Sequence, residues 1–148
     1  MYYKPKHFNP NELLPHHFFN QWGEDGLQFM DGGLLHDLDV IREELGEPVI
    51  VNSGSYNWSG LRTSDWVHFS PTSQHSFGRA IDFKLSSWIK GDLTTRSPET
   101  VRQTIKQMKK DGKLKYITAL EENTDSWVHI DTRCREPNSD CGLFLFSP

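Results

Sequence analysis

The sequence predicts an α+β fold, a small and mostly antiparallel sheet with flanking helices. Two observations predict it: apolar runs of strand length succeed one another across polar turns, as in hairpins, while only two segments carry a sustained helical period. A third, the lack of any internal repeat or linker-like stretch, makes residues 1–148 read as one domain.

The first strong helix is expected from about Gly33 to Leu45. Leu34, Leu35, Leu38, Ile41 and Leu45 recur on one face, while Asp37, Asp39, Arg42, Glu43 and Glu44 fall mostly elsewhere. Asp31 is placed to cap its start and Gly46 to supply the left-handed stop. His36 lies beside the apolar face and reads as a structural histidine. Before this helix, Asn9-Pro10 reads as a short helix start, and the adjacent His16 and His17 read as exposed.

Val49-Ile50-Val51 reads as a short strand ending in a turn through Ser53 to Asn57. Trp58 to Gln74 shows no period and reads as a surface loop with aromatic anchors, of a length that in compact domains is often functional. Arg79 to Leu85 has strand character, with Ala80, Asp82 and Lys84 on one face and Ile81, Phe83 and Leu85 on the other. A second helix starts with Ser97 as cap and Pro98 at its first position, buries Val101, Ile105 and Met108, and stops at Asp111-Gly112. Tyr116–Leu120, Trp127–Ile130 and Gly142–Phe146 read as three further strands.

The bulk numbers exclude several classes. A hydrophobic content of 35% in 148 residues supports a core without disulfides. The net charge of -4, with no basic stripe, argues against a nucleic-acid partner. No apolar run is long enough for a membrane span. Met1 to Phe8 lacks the apolar core of a secretory signal, so synthesis in the cytoplasm without a signal peptide is expected unless a leader precedes the sequence. The two cysteines, Cys134 and Cys141, flank a polar turn and read either as a small disulfide loop or as a reduced pair.

One constellation carries chemistry. Ser73-Gln-His75-Ser-Phe-Gly78-Arg-Ala80-Ile-Asp82 sets an imidazole and a carboxylate around a bend-permitting glycine. Trp127-Val-His129-Ile-Asp131 sets a second imidazole in a strand. Two histidines and one carboxylate make a three-ligand set for a catalytic zinc, with the fourth position open to water. A carboxylate in a half-apolar strand costs several kcal/mol if buried unpartnered, and a dication removes that penalty. Asp131, two residues beyond His129, is placed to hydrogen-bond a ligand histidine. The plainer alternative, a core histidine bonded to an aspartate, explains either half alone.

In its motifs the chain resembles the zinc-dependent peptidoglycan peptidases of the D-Ala-D-Ala carboxypeptidase and L-Ala-D-Glu endopeptidase superfamily, which share a fold with the hedgehog signalling domain. Ser73, His75, Gly78, Ala80 and Asp82 match its Ser-x-His-x-x-Gly-x-Ala-x-Asp motif, and Trp127 to Asp131 matches its later His-x-Asp strand. Phe8 to Leu13 and Leu45 to Gly54 resemble its N-terminal half, so the resemblance spans nearly the whole chain.

The resemblance implies a hedgehog/DD-peptidase-like fold and one Zn2+ held by His75, Asp82 and His129. It also implies that Ser73 contacts substrate and that an acid near the last histidine moves protons. Two departures stand out. The position three before His129 is Ser126, which leaves Asp125 as the nearest acid and catalytic candidate, with Glu122 and Glu121 further back. After Ser53-Gly54 the family often has Tyr-Arg, whereas this chain has Tyr56-Asn57, leaving Tyr56 or Arg62 to bind substrate.

The resulting expectation is a metallopeptidase of cell-wall degradation, monomeric and endolysin-like, from a bacteriophage. It would act on peptidoglycan after release or as part of the virion. A catalytically inactive zinc-containing module that binds cell wall or protein is the alternative, and a metal-free virion component is a third.

Overall fold

The computed structural model describes residues 1–92 and 96–148. It is α+β, with a five-stranded, mostly antiparallel sheet and four α-helices among the described residues. The helices are α1 (His16–Trp22), α2 (Gly32–Leu45), α3 (Ser86–Ile89) and α4 (Pro98–Lys110). The strands are β1 (Val49–Ile50), β2 (Ala80–Leu85), β3 (Ala119–Glu121), β4 (Val128–Asp131) and β5 (Phe144–Phe146). In space they run β1-β2-β4-β3-β5, all neighbours antiparallel except β3 and β5.

Both long helices begin and end where their sequences place them. Asp31 Oδ1 accepts from the Gly33 and Leu34 amides, and Gly46 closes α2 at φ 69°. In α4 the Ser97 hydroxyl accepts from Thr100 N–H, and Pro98 occupies the first turn. The α2 stripe Leu34, Leu35, Leu38 and Ile41 is fully buried, each such side chain contributing roughly 1.5–3 kcal/mol. It shares one core with Val101 and Ile105 of α4 and with Ile81, Phe83, Val128 and Ile130 of the sheet.

The polar side of α2 departs from the amphipathic reading. Asp37 and Asp39 are buried, not solvated. Asp37 accepts the backbone N–H groups of Lys115, Tyr116 and Ile117. Asp39 accepts those of Lys6 and His7 and the Tyr3 hydroxyl. The helix is therefore enclosed by the N-terminal segment on one flank and the approach to β3 on another. The expected strand over Tyr116–Leu120 is shortened to start at Ala119, since the Tyr116 and Ile117 amides bond Asp37 and only from Thr118 onward do the amides reach β4.

Three short elements lack a readable period and escape the sequence: α1, α3 and a 3-10 segment over Gly23–Phe29. Residues 58–73 hold no helix or strand, as expected of a loop, and a single 3-10 turn, Gln74–Phe77, leads from them to Gly78. Cys134 and Cys141 are both free thiols. No helix among the described residues is long and apolar enough to cross a membrane.

Candidate metal centre

The register of β2 against β4 builds the site. Asp82 pairs with His129 and Ala80 with Asp131, and directly opposed residues of an antiparallel pair point to the same face. Alternation sends Ile81, Phe83, Val128 and Ile130 into the core, leaving Asp82, His129 and Asp131 together on the other face. Asp131 lies between Ala80 on one neighbouring strand and Ala119 on the other, so small side chains flank the buried carboxylate.

His75 arrives from outside the sheet. Its turn ends on Gly78, which has φ 68° and sits so close to the Phe29–Met30 backbone that an added Cβ would lie 2.0 Å from Phe29 O. The Gly78 carbonyl accepts from Asp31 N–H at 2.9 Å, tying the turn to the start of α2. The loop before it wraps the other side. Asp82 N–H donates to Ser59 O at 2.8 Å and Arg62 N–H donates to His75 O at 3.2 Å.

His75, Asp82 and His129 each offer one ligand atom, all within 4.8 Å of one another. Both histidines are buried and Asp82 is half-buried. His75 Nε2 lies 3.2 Å from Asp82 Oδ2, and His129 Nδ1 lies 2.7 Å from Asp82 Oδ1. Zinc bonded at about 2.0–2.1 Å separates tetrahedral donors by roughly 3.3 Å, and the two histidine–Asp82 contacts lie on either side of that spacing.

The far side of each ring is anchored. His75 Nδ1 donates to Gly60 O at 2.9 Å, which leaves Nε2 as the lone-pair nitrogen facing Asp82. His129 Nε2 donates to Asp131 Oδ2 at 2.9 Å, which leaves Nδ1 facing Asp82. A lone pair and a carboxylate oxygen repel unless a proton or a cation lies between them. Both rings thus have the outer support that orients metal-binding histidines, and this donor set fits a divalent ion. Asp131 occupies the supporting position its spacing implies.

Electrostatics divide the two histidines: His75 is pushed to the neutral form, whereas His129 holds a proton that a metal ion would have to displace. Burial drives His75 toward the neutral, ligating form, below its ordinary value against the pull of Asp82. Burial also acts to lower His129, yet its hydrogen bonds to Asp131 and Asp82 prevail and raise it to about 9. For Asp82 burial is again opposed and outweighed, here by hydrogen bonds from His129 and His75, so it stays ionised well below the usual carboxylate range. Asp131 likewise resists burial, held down to about 2 by His129 and Arg133.

Two arginines complete the cluster. Arg133 forks onto Asp131 through Nε and Nη2, and its guanidinium lies 4.0 Å from the centre of the Phe146 ring, which itself meets His129 edge-on. Arg62 donates through Nη2 to Asp82 Oδ2 at 2.9 Å and through Nε to Trp58 O, with its guanidinium over Trp66. Arg133 is findable by its two-residue spacing from Asp131. The Gly60 carbonyl and the Trp66 support carry no sequence signal, because loop backbone and loop packing set them.

A cavity of about 580 Å³ opens beside Asp82, and Tyr56, Ser59, Arg62, Ser126 and Trp127 are among its lining. Tyr56 thus shares a cavity with Asp82, the one member of the ligand group that lines it. Ser73 is half-buried at the start of the His75 turn and does not line it. Asp125 is exposed on the turn before β4, adjacent to lining residue Ser126 but not itself in the lining. That turn is pinned by buried Arg102, whose Nη1 donates to the carbonyl and hydroxyl oxygens of Thr124. Glu122 is engaged elsewhere, in an ion pair with Lys106 at 2.5 Å. His68 is exposed and lies against Trp66, away from the ligand group.

The motif resemblance is therefore met as far as a small α+β fold and a buried His-Asp-His group that offers a metal site. No protein-family model, curated protein or solved structure matches this chain.

Proposed function

We propose that the chain is a zinc-dependent peptidase that hydrolyses a peptide bond in peptidoglycan stem peptides or cross-links, acting as one domain over residues 1–148. The observation that carries this reading is the convergence of His75, Asp82 and His129 beside a cavity, with each histidine's outer nitrogen already anchored. The matched Ser73-to-Asp82 and Trp127-to-Asp131 motifs supply the substrate class.

His75 Nε2, one Asp82 oxygen and His129 Nδ1 would hold the ion, and three nitrogen and oxygen donors suit zinc. When bound, zinc supplies a Lewis acid for the scissile carbonyl and acidifies a water in its open position. Asp131 and Gly60 hold the two imidazoles in their ligating tautomers. Arg62 fixes Asp82 Oδ2, and Tyr56 binds substrate in the cavity. Ser73 contacts substrate at the mouth of the His75 turn. The Asp125 carboxylate accepts the water proton and returns it to the leaving amine, the role that needs a group on the turn beside Ser126. The enzyme works as a monomer on the cell wall, after release from the cell or from a virion.

Purified peptidoglycan provides the test. New amino groups should appear with the zinc-loaded protein, cease with chelator and return on adding zinc. A fully zinc-loaded protein that releases none would overturn the reading. Comparing Asp125→Ala with Glu122→Ala assigns the base: the first should lose most of its rate and the second should not.

One observation favours a second reading. Ser126 lines the cavity where the motif's proton-transferring acid is expected, and Ser126 has no carboxylate. A zinc-containing module that binds cell wall or protein without cutting it would bind zinc stoichiometrically and retain peptidoglycan without turnover.

A further inference from the structure

A second cavity, of about 450 Å³, shares Arg62 with the first. Phe18, Phe29, Phe69 and Phe77 line it together with Ser64 and Ser76. Its aromatic residues are not a hidden core. Phe29 and Phe77 are 43% and 54% exposed, and the neighbouring Trp22 is 41% exposed. Phe18, Trp22 and Phe29 form a mutual cluster, with Trp22 and Phe29 ring centres 5.2 Å apart. Aromatic surface left in water costs roughly 25 cal/mol per Å² relative to burial, and a contiguous patch of it marks a binding surface.

Arg62 lines both cavities, so their occupants are neighbours. If a stem peptide fills the first, its covalent neighbour in peptidoglycan is the sugar that carries it. An N-acetylhexosamine ring has an apolar C–H face and a rim of hydroxyl and acetamido groups. Phenylalanine faces match the former, and serine hydroxyls, which both donate and accept, match the latter. Resting on the peptidase reading, we propose that this aromatic groove is a sugar subsite. It would seat an N-acetylhexosamine of the glycan strand while the attached stem peptide lies in the metal-side cavity.

The first test needs no turnover. Zinc-loaded protein is titrated with an N-acetylglucosamine tetramer and, as control, a maltose-type glucose tetramer, following amide and indole resonances. Saturable binding of the N-acetylated sugar alone is expected, with shifts centred on Trp22, Phe29 and Phe77. Phe29→Ala and Phe77→Ala should each weaken it about tenfold, a loss of about 1.4 kcal/mol, with zinc content unchanged. Absence of saturable binding, equal binding of both sugars, or unaltered binding by both variants overturns the subsite.

A second test separates this inference from the peptidase reading. Stem peptide is compared with the same peptide still bearing its sugar. The sugar should lower KM by about tenfold, and either Phe variant should remove that advantage. Equal KM values overturn the subsite and leave the peptidase standing. Hydrolysis of neither substrate removes the peptidase, and the tetramer titration then still decides whether the groove takes sugar.

Discussion

Asp37 on α2 and Asp82 on β2 are both aspartates drawn out of bulk water, yet Asp37 is held by three backbone amides with only the half-exposed His36 ring beside it, whereas Asp82 is held by two buried imidazoles and Arg62. Asp37 and its neighbour Asp39 accept fixed N–H groups from distant segments, Lys115 to Ile117 and Lys6 to His7. Those donors neither leave nor titrate, so the pair acts as clamps between segments. Asp82 and Asp131 face His129 from both sides, and Asp82 also faces His75. An imidazole can exchange its proton for a metal ion, and Asp82 with its two histidines offers a possible metal site. Burial alone does not separate structural from functional carboxylates; the chemistry of the partner does.

The largest expected effect belongs to the clamps. Asp37→Ala leaves three amides without an acceptor and should destabilise by about 3–5 kcal/mol in a urea unfolding curve. Zinc uptake by the fraction that remains folded should be unchanged. A variant of parental stability would mean that those amides find other partners.

At the exchange site the effects should reverse in kind. Asp82→Asn should abolish stoichiometric zinc binding while perturbing urea stability less than Asp37→Ala does. Asp131→Asn, which weakens the support of His129 and the ion pair with Arg133, should lower zinc affinity by roughly 10–100-fold. If Asp131→Asn binds zinc like the parent, Asp131 is merely a clamp of the first kind.

Proton exchange predicts a pH signature for the metal-free protein. His129 is held at about 9 when folded, above the ordinary histidine value near 6.5. Its stabilising contribution is therefore complete below about pH 6.5 and is lost as pH rises through about 9. Asp82 and Asp131 are depressed, so their contributions are present above roughly pH 4 and fade as pH falls further. With chelator, melting temperature should fall between about pH 6.5 and 9.5. With zinc that alkaline fall should vanish, because the ion replaces the proton. Parallel curves would contradict exchange.

The smallest effect is expected at Glu122, whose partner Lys106 is a partly exposed surface group. Glu122→Ala should cost under about 1 kcal/mol and leave zinc uptake untouched.

The contrast between the two carboxylate pairs is only half legible in the sequence. Asp82 stands out because it interrupts an apolar strand, and His75 and His129 stand out by residue type and spacing. The α2 and α4 boundaries follow from Asp31, Gly46, Ser97 and Pro98, whose roles are local. The burial of Asp37 and Asp39 is not legible because helical periodicity reports one face only, while the segments covering the others come from residues 3–7 and 115–117. The Gly60 carbonyl and Arg62 are illegible as partners of the site for the same reason. Loop backbone placed by Leu13 and Trp66 leaves no pattern in the chain. Asp125 is singled out in the sequence by its proximity to Ser126, and the fold places it on an exposed turn, where kinetics assign its role.

The central claim is that His75, Asp82 and His129 form a single exchangeable metal site. Zinc titration of chelator-stripped protein near pH 8, with bound metal and released protons counted together, tests it most directly. Saturation is expected at one zinc per chain, with release of about one proton as His129 gives up its own, and no saturable binding by His75→Ala or Asp82→Asn. A folded parent protein that takes up no zinc, or variants that bind it as well as the parent, would contradict the account.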